Sequence, residues 1–231
     1  KAKVTSASYE SAGLIAQFDG FDNAISDGAR IHDPQATSWT DLCGGTAATL
    51  NAGIYEVCDD GIHVKASSTS NVKPGVTTRS FAANDIYTIE VYATPKQGVN
   101  NNSDAVLWAG SAPTTGPVAS CRVGAWSAAG KMKLGYYSNN GLVSKFYEGD
   151  WNKRLGVTYK RLGTSYASYI DGKATGQSYE FASADSVLHF GNFAASVKAA
   201  RGLDVVIHSI RIYSGALTDE QIKRNHGVDE A

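Results

Sequence analysis

The sequence predicts an all-β protein: a sandwich of two antiparallel sheets with one short C-terminal helix. Three observations carry this reading. About a dozen short runs rich in β-branched and aromatic residues recur along the chain, with turn residues roughly every ten positions. Gly occurs 24 times and Tyr 12 times, a composition that suits many turns and half-buried strand faces. Only one segment, near the C-terminus, carries legible helix-start and helix-stop signals.

Taken in order, the first strand is expected at 13–18, followed by the turn Asp19-Gly20-Phe21-Asp22-Asn23 and a loop over 24–36. A short strand at 39–42 is stopped by Gly44-Gly45. Segments 46–50 and 54–58 are expected to form a hairpin pair, and 62–66 a strand after the turn Asp59-Asp60-Gly61. Residues 67–75 are polar and loop-like. Over 86–94 the chain alternates, with Tyr87, Ile89, Val91 and Ala93 on one face and Thr88, Glu90 and Tyr92 on the other, until Pro95 ends the strand. A loop at 96–104, a strand at 106–110 and a second loop at 111–117 lead to strands at 121–127 and 131–138, paired across Ala128-Ala129-Gly130. Asn139-Asn140-Gly141 is a hairpin signal leading to a strand at 143–147. A strand at 153–160 precedes 165–170 and 173–179, joined by Asp171-Gly172, the strongest two-residue turn signal in the chain. A strand at 187–193 and a loop at 194–202 follow.

The chain closes on a strand and a helix. The strand, Val205–Tyr213, is rich in β-branched residues. Strict alternation puts Val206, His208, Ile210 and Ile212 on one face and Ile207, Ser209, Arg211 and Tyr213 on the other. After Ser214-Gly215, Thr218 is placed as an N-cap with Gln221 three residues on, a capping box, and Leu217 with Ile222 as its hydrophobic staple. The helix is expected over 219–226, ended by Gly227.

These elements fit one domain over 1–231, with 1–12 as a flexible lead-in. A net charge of −1 gives no electrostatic case for nucleic acid or an acidic membrane surface. No apolar run approaches the ~20 residues of a membrane helix, so no membrane insertion is expected. The chain starts at Lys1 without Met or a visible signal segment, as a mature or trimmed fragment would. Cys43 and Cys58 could pair around the segment between them, leaving Cys121 over; the alternative is three buried thiols. No cysteine or histidine spacing points to zinc.

Several segments, in order, resemble the laminin-G-like, concanavalin A-like jelly-roll superfamily. They are Gly13-Leu14-Ile15-Ala16-Gln17-Phe18-Asp19-Gly20, Trp39-Thr40-Asp41-Leu42-Cys43-Gly44-Gly45 and the strand ending at Pro95. Asp150-Trp151-Asn152-Lys153 with the hairpin at Asp171-Gly172, and Ile210 through Ile222, complete the set. The resemblance implies two curved antiparallel sheets, usually extracellular, often carbohydrate-binding and often holding calcium. One departure is His208, where relatives often place a carboxylate two positions before Ile210.

Three chemistries compete. Glucanases of this fold use Glu-x-Asp-x-x-Glu, because retaining hydrolysis needs a nucleophile and a separate acid/base. The nearest match, Glu148-Gly149-Asp150-Trp151-Asn152-Lys153, has Lys in the third acidic position, so the acid/base is missing and the stretch reads as a solvated acidic turn. Sugar binding uses aromatic rings for the C–H faces of the ligand and polar groups for its hydroxyls. Trp126, Tyr136, Tyr137, Tyr147 and Trp151, with Glu148, are the candidates, against the alternative that alternate members are core. For calcium, Asp19, Asp22 and Asn23 offer three oxygen side chains around a glycine, and Asp59-Asp60 a second cluster; the alternative is Asx-turn chemistry. The five histidines show no HExxH spacing and read as surface or satisfied core groups. The combined reading is a non-catalytic, extracytoplasmic carbohydrate-binding or adhesion module, part of a bacterial surface or secreted protein. A glucanase-type glycoside hydrolase and a structural protein-interaction domain are the alternatives.

Overall fold

Alternating apolar runs separated by turn residues form strands whose inner faces must be buried, and two packed sheets do this here. The computed structural model describes residues 9–50, 53–65, 76–81, 85–96, 105–110, 120–124, 131–138, 141–180, 186–190 and 204–231. The expected loops at 67–75, 111–117 and 194–202, and that at 96–104 beyond Lys96, lie outside them.

The strands are β1 (Leu14–Asp19), β2 (Ala24–Ser26), β3 (Ala29–Ile31), β4 (Ser38–Trp39), β5 (Ala48–Leu50) and β6 (Tyr55–Cys58). They continue as β7 (Gly61–Val64), β8 (Val76–Phe81), β9 (Tyr87–Pro95), β10 (Ala105–Gly110), β11 (Ser120–Gly124) and β12 (Met132–Ser138). The last are β13 (Gly141–Gly149), β14 (Leu155–Leu162), β15 (Ser165–Ile170), β16 (Lys173–Glu180), β17 (Ser186–Phe190) and β18 (Val205–Tyr213), followed by helix α1 (Asp219–Glu230). The first sheet runs β16-β15-β14-β9-β18-β7-β6, with β1 also paired to β18; the second runs β13-β12-β11-β10-β17-β8-β5-β4. Their pairings are antiparallel. One core joins them: Ile89, Val91, Val157, Ile207, Ile210 and Ile212 from the first sheet pack with Trp39, Leu50, Met132 and Leu134 from the second.

Three expectations need correction. Segments 46–50 and 54–58 do not pair: β5 joins β4 and β8 in the second sheet, while β6 pairs with β7 in the first. Each alternates well, and alternation does not say which neighbour a strand will choose. Residues 24–36 hold the hairpin β2–β3, turned at Asp27-Gly28, both with positive φ. Cys43 and Cys58 are not joined in a disulfide.

The face assignment of β18 is also corrected. A register shift against β9 falls between Ile207 and Ser209, at His208. A bulge adds one residue and reverses the alternation beyond it. Val205 and Ile207, rather than Val206, therefore share the core with Ile210 and Ile212. The bulge lies where the other edge of β18 changes partner, from β7 at Val205–Ile207 to β1 at Ser209–Tyr213. There the His208 carbonyl accepts from Gly20 N at 2.8 Å.

Helix α1 covers the outer face of the first sheet. Its capping box is formed, with Gln221 N donating to Thr218 Oγ1 at 3.2 Å and Thr218 N to Gln221 Oε1 at 2.7 Å. Leu217 and Ile222 pack with Tyr169 and Tyr213. The helix runs through Gly227 to Glu230 rather than stopping at 226. An interior helical Gly costs about 1 kcal/mol, and the ion pair of Asp229 with Arg211 on the last turn offsets it. Close docking needs glycine at 172, where φ is +72° and a Cβ would lie 3.1 Å from Lys223 Cα. Asp171 and Gly172, both at positive φ, form the expected tight turn, with Ile170 paired to Lys173.

Candidate functional site

The residues nominated for sugar binding do not form one platform. Trp126 lies outside the described residues. Tyr136 and Tyr137 lie in β12, their backbones paired with Ser144 and Leu142. Tyr147 pairs with Leu134, a core residue, and is half-buried against the core together with Phe146 and Trp151. Phe146 meets Tyr159 of the other sheet edge-on at 5.8 Å between centroids. Glu148 is exposed and faces Lys133 across the hairpin at 3.7 Å. Lys131 pairs with Asp150. The outer edge of β12–β13 is thus a charged strip bordered by two half-exposed aromatics, Tyr147 and Trp151. The two roles foreseen for this stretch, ring stacking and polar contact, fall to alternate residues.

The Asp19–Asn23 turn is consumed by its own backbone. Asp19 Oδ1 accepts from Phe21 N at 2.8 Å and Asp22 N at 3.2 Å, an Asx turn. Asn23 is fully buried; its Nδ2 donates to Asp33 O at 2.8 Å and its Oδ1 accepts from Asp33 N at 2.6 Å. Burial raises the Asp19 carboxyl above its usual range. A calcium loop needs such oxygens turned toward an ion; here Asp19 Oδ1 and the Asn23 amide are turned to backbone groups instead. Among the described residues, no group of three His, Cys, Asp or Glu side chains is placed to hold a metal.

The Trp39 motif braces the same turn. Trp39 Nε1 donates to Asp19 O at 2.8 Å, and Asp41 Oδ1 accepts from Gln17 N and Cys43 N, both at 2.9 Å. Gly20 is required by close approach, since a Cβ there would fall 2.4 Å from Gly61 Cα. The two acidic turns, 19–23 and 59–61, are therefore neighbours in space.

Beside them sits a polar cluster centred on the bulge. His208 Nδ1 lies 2.9 Å from the Asp60 carbonyl and Nε2 lies 2.8 Å from Thr94 Oγ1. A carbonyl only accepts, so Nδ1 carries the proton and Nε2 accepts from Thr94. Arg154 pairs with the Asp60 carboxylate and lies 5.6 Å from the Tyr92 ring centroid. Tyr92 donates to Glu230 of α1. Burial lowers the His208 pKa; the Asp60 carbonyl opposes this, and Arg154 adds to it. His208, flagged in the sequence only as a missing carboxylate, is the ring that joins β18, β9 and the 59–61 turn. Arg154 supplies the positive charge that Asp60 faces.

Deeper on the same face lies an ionic network that sequence patterning did not reveal. Arg211 Nε donates to Glu90 Oε2 at 2.8 Å, Nη1 to Asp229 Oδ1 at 2.9 Å and Nη2 to Asp229 Oδ2 at 2.5 Å. Asn225 Nδ2 lies 2.9 Å from both Glu90 Oε2 and Tyr213 Oη, and its Oδ1 accepts from Glu10 N at 2.8 Å. Tyr9 donates to Asp229 Oδ1 at 2.9 Å, its ring centroid 4.1 Å from the Arg211 guanidinium. Burial raises the Glu90 carboxyl. Burial pulls the other way on Arg211, where Asp229 and Glu90 outweigh it and hold the guanidinium charged. Glu90 and Asp229 are accordingly structural ion-pair partners, and Tyr9 and Glu10 of the expected lead-in are bonded to the helix.

No family model matches the chain, and no curated protein matches it. Among solved structures it is similar to Trypanosoma rangeli sialidase in complex with sialic acid, with a TM-score of 0.67 at 14% identity over 99% of this chain and 34% of that one. It is also similar to the binding domain of Paraclostridial Mosquitocidal Protein 1, with a TM-score of 0.56 at 13% identity over 93% of this chain and 52% of that one. For the botulinum neurotoxin serotype D binding domain the TM-score is 0.52 at 15% identity, over 93% and 51%. The chain thus spans about a third of the sialidase and about half of each toxin domain. At this identity the likeness is one of fold: a β-rich protein built on antiparallel sheets.

Proposed function

We propose that the chain is a carbohydrate-binding module of the concanavalin A-like, laminin-G-like jelly-roll type, acting outside the cytoplasm as part of a surface or secreted protein. The observation that carries this reading is the likeness, over nearly the whole chain, to part of a sialidase solved with sialic acid and to two toxin binding domains. The outer edge of β12–β13 supports it, because Tyr147 and Trp151 border the Lys133–Glu148 and Lys131–Asp150 pairs, whose acidic members are exposed. Apolar ring edges beside hydrogen-bonding charges are the two contacts a sugar needs. The test is a glycan array followed by calorimetry, each with calcium and with chelator. Retention of a defined glycan class, weakened about tenfold (~1.4 kcal/mol) in Glu148→Gln, is the expected result. A folded protein that retains no glycan overturns the proposal.

A further inference from the structure

The inner end of the first sheet holds a second buried arginine with a very different setting. Arg161 is 1% exposed. It stands in β14 opposite Tyr87 of β9 and Tyr166 of β15. Its guanidinium carbon lies 5.5 Å and 5.3 Å from those two ring centroids, so the cation is held between two tyrosines. Nε donates to Gly163 O at 2.6 Å. Nη2 is buried and has no hydrogen-bond partner, and among the described residues no carboxylate pairs with this side chain. The Tyr87 and Tyr166 hydroxyls lie 3.1 Å apart beside it. Burial drives the Tyr87 phenol well above its ordinary value, so this hydroxyl stays neutral and cannot supply the missing negative charge.

A buried guanidinium is a strong indicator of a counter-anion, because desolvating a charge without a partner is costly. Ring faces, the Gly163 carbonyl and the Tyr87 hydroxyl stabilise the cation, but among the described residues no carboxylate compensates its charge, and Nη2 is left without an acceptor. Arg161 stands at the end of β14, beside the β14–β15 turn, where Thr164 is exposed. A single positive charge with one free guanidinium nitrogen and adjacent hydroxyls matches a planar, singly charged carboxylate. A phosphate dianion would call for more positive charge than one arginine offers.

We propose that Arg161 is an anion subsite that receives the carboxylate of an acidic sugar on Nη2, within the frame of Tyr87 and Tyr166. This rests on the carbohydrate-binding reading and narrows it to carboxylate-bearing glycans.

The experiment is calorimetry on the full chain with matched pairs: glucuronate against glucose and galacturonate against galactose, with acetate as the carboxylate alone. At least one uronate is expected to bind ten times or more tighter than both its neutral counterpart and acetate. Arg161→Met, checked for folding by circular dichroism, is expected to abolish that difference, and Arg161→Lys, which keeps charge but loses the planar fork, to weaken it. If the variants do not fold, a crystal structure of the wild-type chain with the bound uronate decides. A ligand carboxylate on Nη2 supports the subsite. A ligand elsewhere, or a carboxylate of the chain itself on Nη2, overturns it. The proposal also falls if neither uronate is preferred over its neutral partner, if acetate binds as tightly as a uronate, or if Arg161→Met keeps the preference. An array that retains neutral glycans without a carboxylate preference removes this inference and leaves the broader function standing; a blank array removes the broader function.

Discussion

Two arginines, Arg211 and Arg161, are buried to nearly the same degree on opposite faces of one sheet. Arg211 is saturated: two carboxylates, a serine hydroxyl and a tyrosine ring surround it, and α1 seals it from water. Arg161 has rings, one carbonyl and no carboxylate among the described residues. The difference teaches that burial alone does not define a structural charge. A cation whose counter-charges come from the fold is an architectural clamp. A cation enclosed without them, as Arg161 is among the described residues, is where the proposed external anion would supply the counter-charge.

The comparison can be broken by removing each arginine's surroundings in turn. Asp229→Ala leaves Arg211 buried with one carboxylate, and is expected to cost about 3–5 kcal/mol in urea unfolding. A loss under ~1 kcal/mol would reduce the clamp to a surface-like pair. Next is Gly172→Ala, which forces a side chain into a positive-φ turn against Lys223 and lifts α1 from the sheet. About 1–3 kcal/mol is expected, together with faster amide exchange in α1; unchanged exchange would show that the helix does not need this contact. Thr218→Ala removes the cap of the helix that carries Asp229, for about 1 kcal/mol. Arg161→Met should lie within ~1 kcal/mol of wild type or above it, because replacing an uncompensated charge by an apolar chain removes a desolvation cost. A loss as large as that of Asp229→Ala would erase the distinction between the two sites.

The smallest effect concerns pH. The folded chain holds His208 below its unfolded value of about 6.5, with burial as the main cause. The unfolded state therefore binds the proton more readily, and stability present at neutral pH is lost as pH falls through and below about 6.5. Glu90, raised by burial, gives the opposite slope above about 4.5. The drop in urea midpoint between pH 7.5 and 5.5 should be shallower in His208→Asn than in wild type, and an identical drop would remove His208 from the account.

The sheet composition and the C-terminal unit were legible because their signals are local. Alternation through Tyr87–Pro95, the Asp171-Gly172 turn and the Thr218-Gln221 box each depend on neighbours within a few residues. The β2–β3 hairpin carried the same Asp-Gly signal at Asp27-Gly28, but its strands are three residues each, too short to show an alternation. What stayed hidden depends on pairing across the chain. The bulge at His208 is visible only against β9, and the choice of sheet for β5 and β6 only in the assembled sandwich. At the candidate sugar edge, the sequence nominated Tyr147, Glu148 and Trp151 but did not show their division between core-facing and outward positions. Arg211 read as an ordinary strand arginine and Arg161 fell just beyond the strand expected at 153–160, since their burial arises from elements far away in the chain.

The pairing of β1 with β18 also has a kinetic side. Gly13 and Ser214 bond across 201 residues, and Tyr9 reaches Asp229 across 220. Because β18 lies between β9 and the strands β1 and β7, the first sheet has no centre until the last strand is made. During synthesis, earlier strands must wait with their pairing edges open, and closing so long a loop slows the search for them. The chain therefore completes its fold late and cooperatively, with the final thirty or so residues acting as the trigger rather than as an appendage.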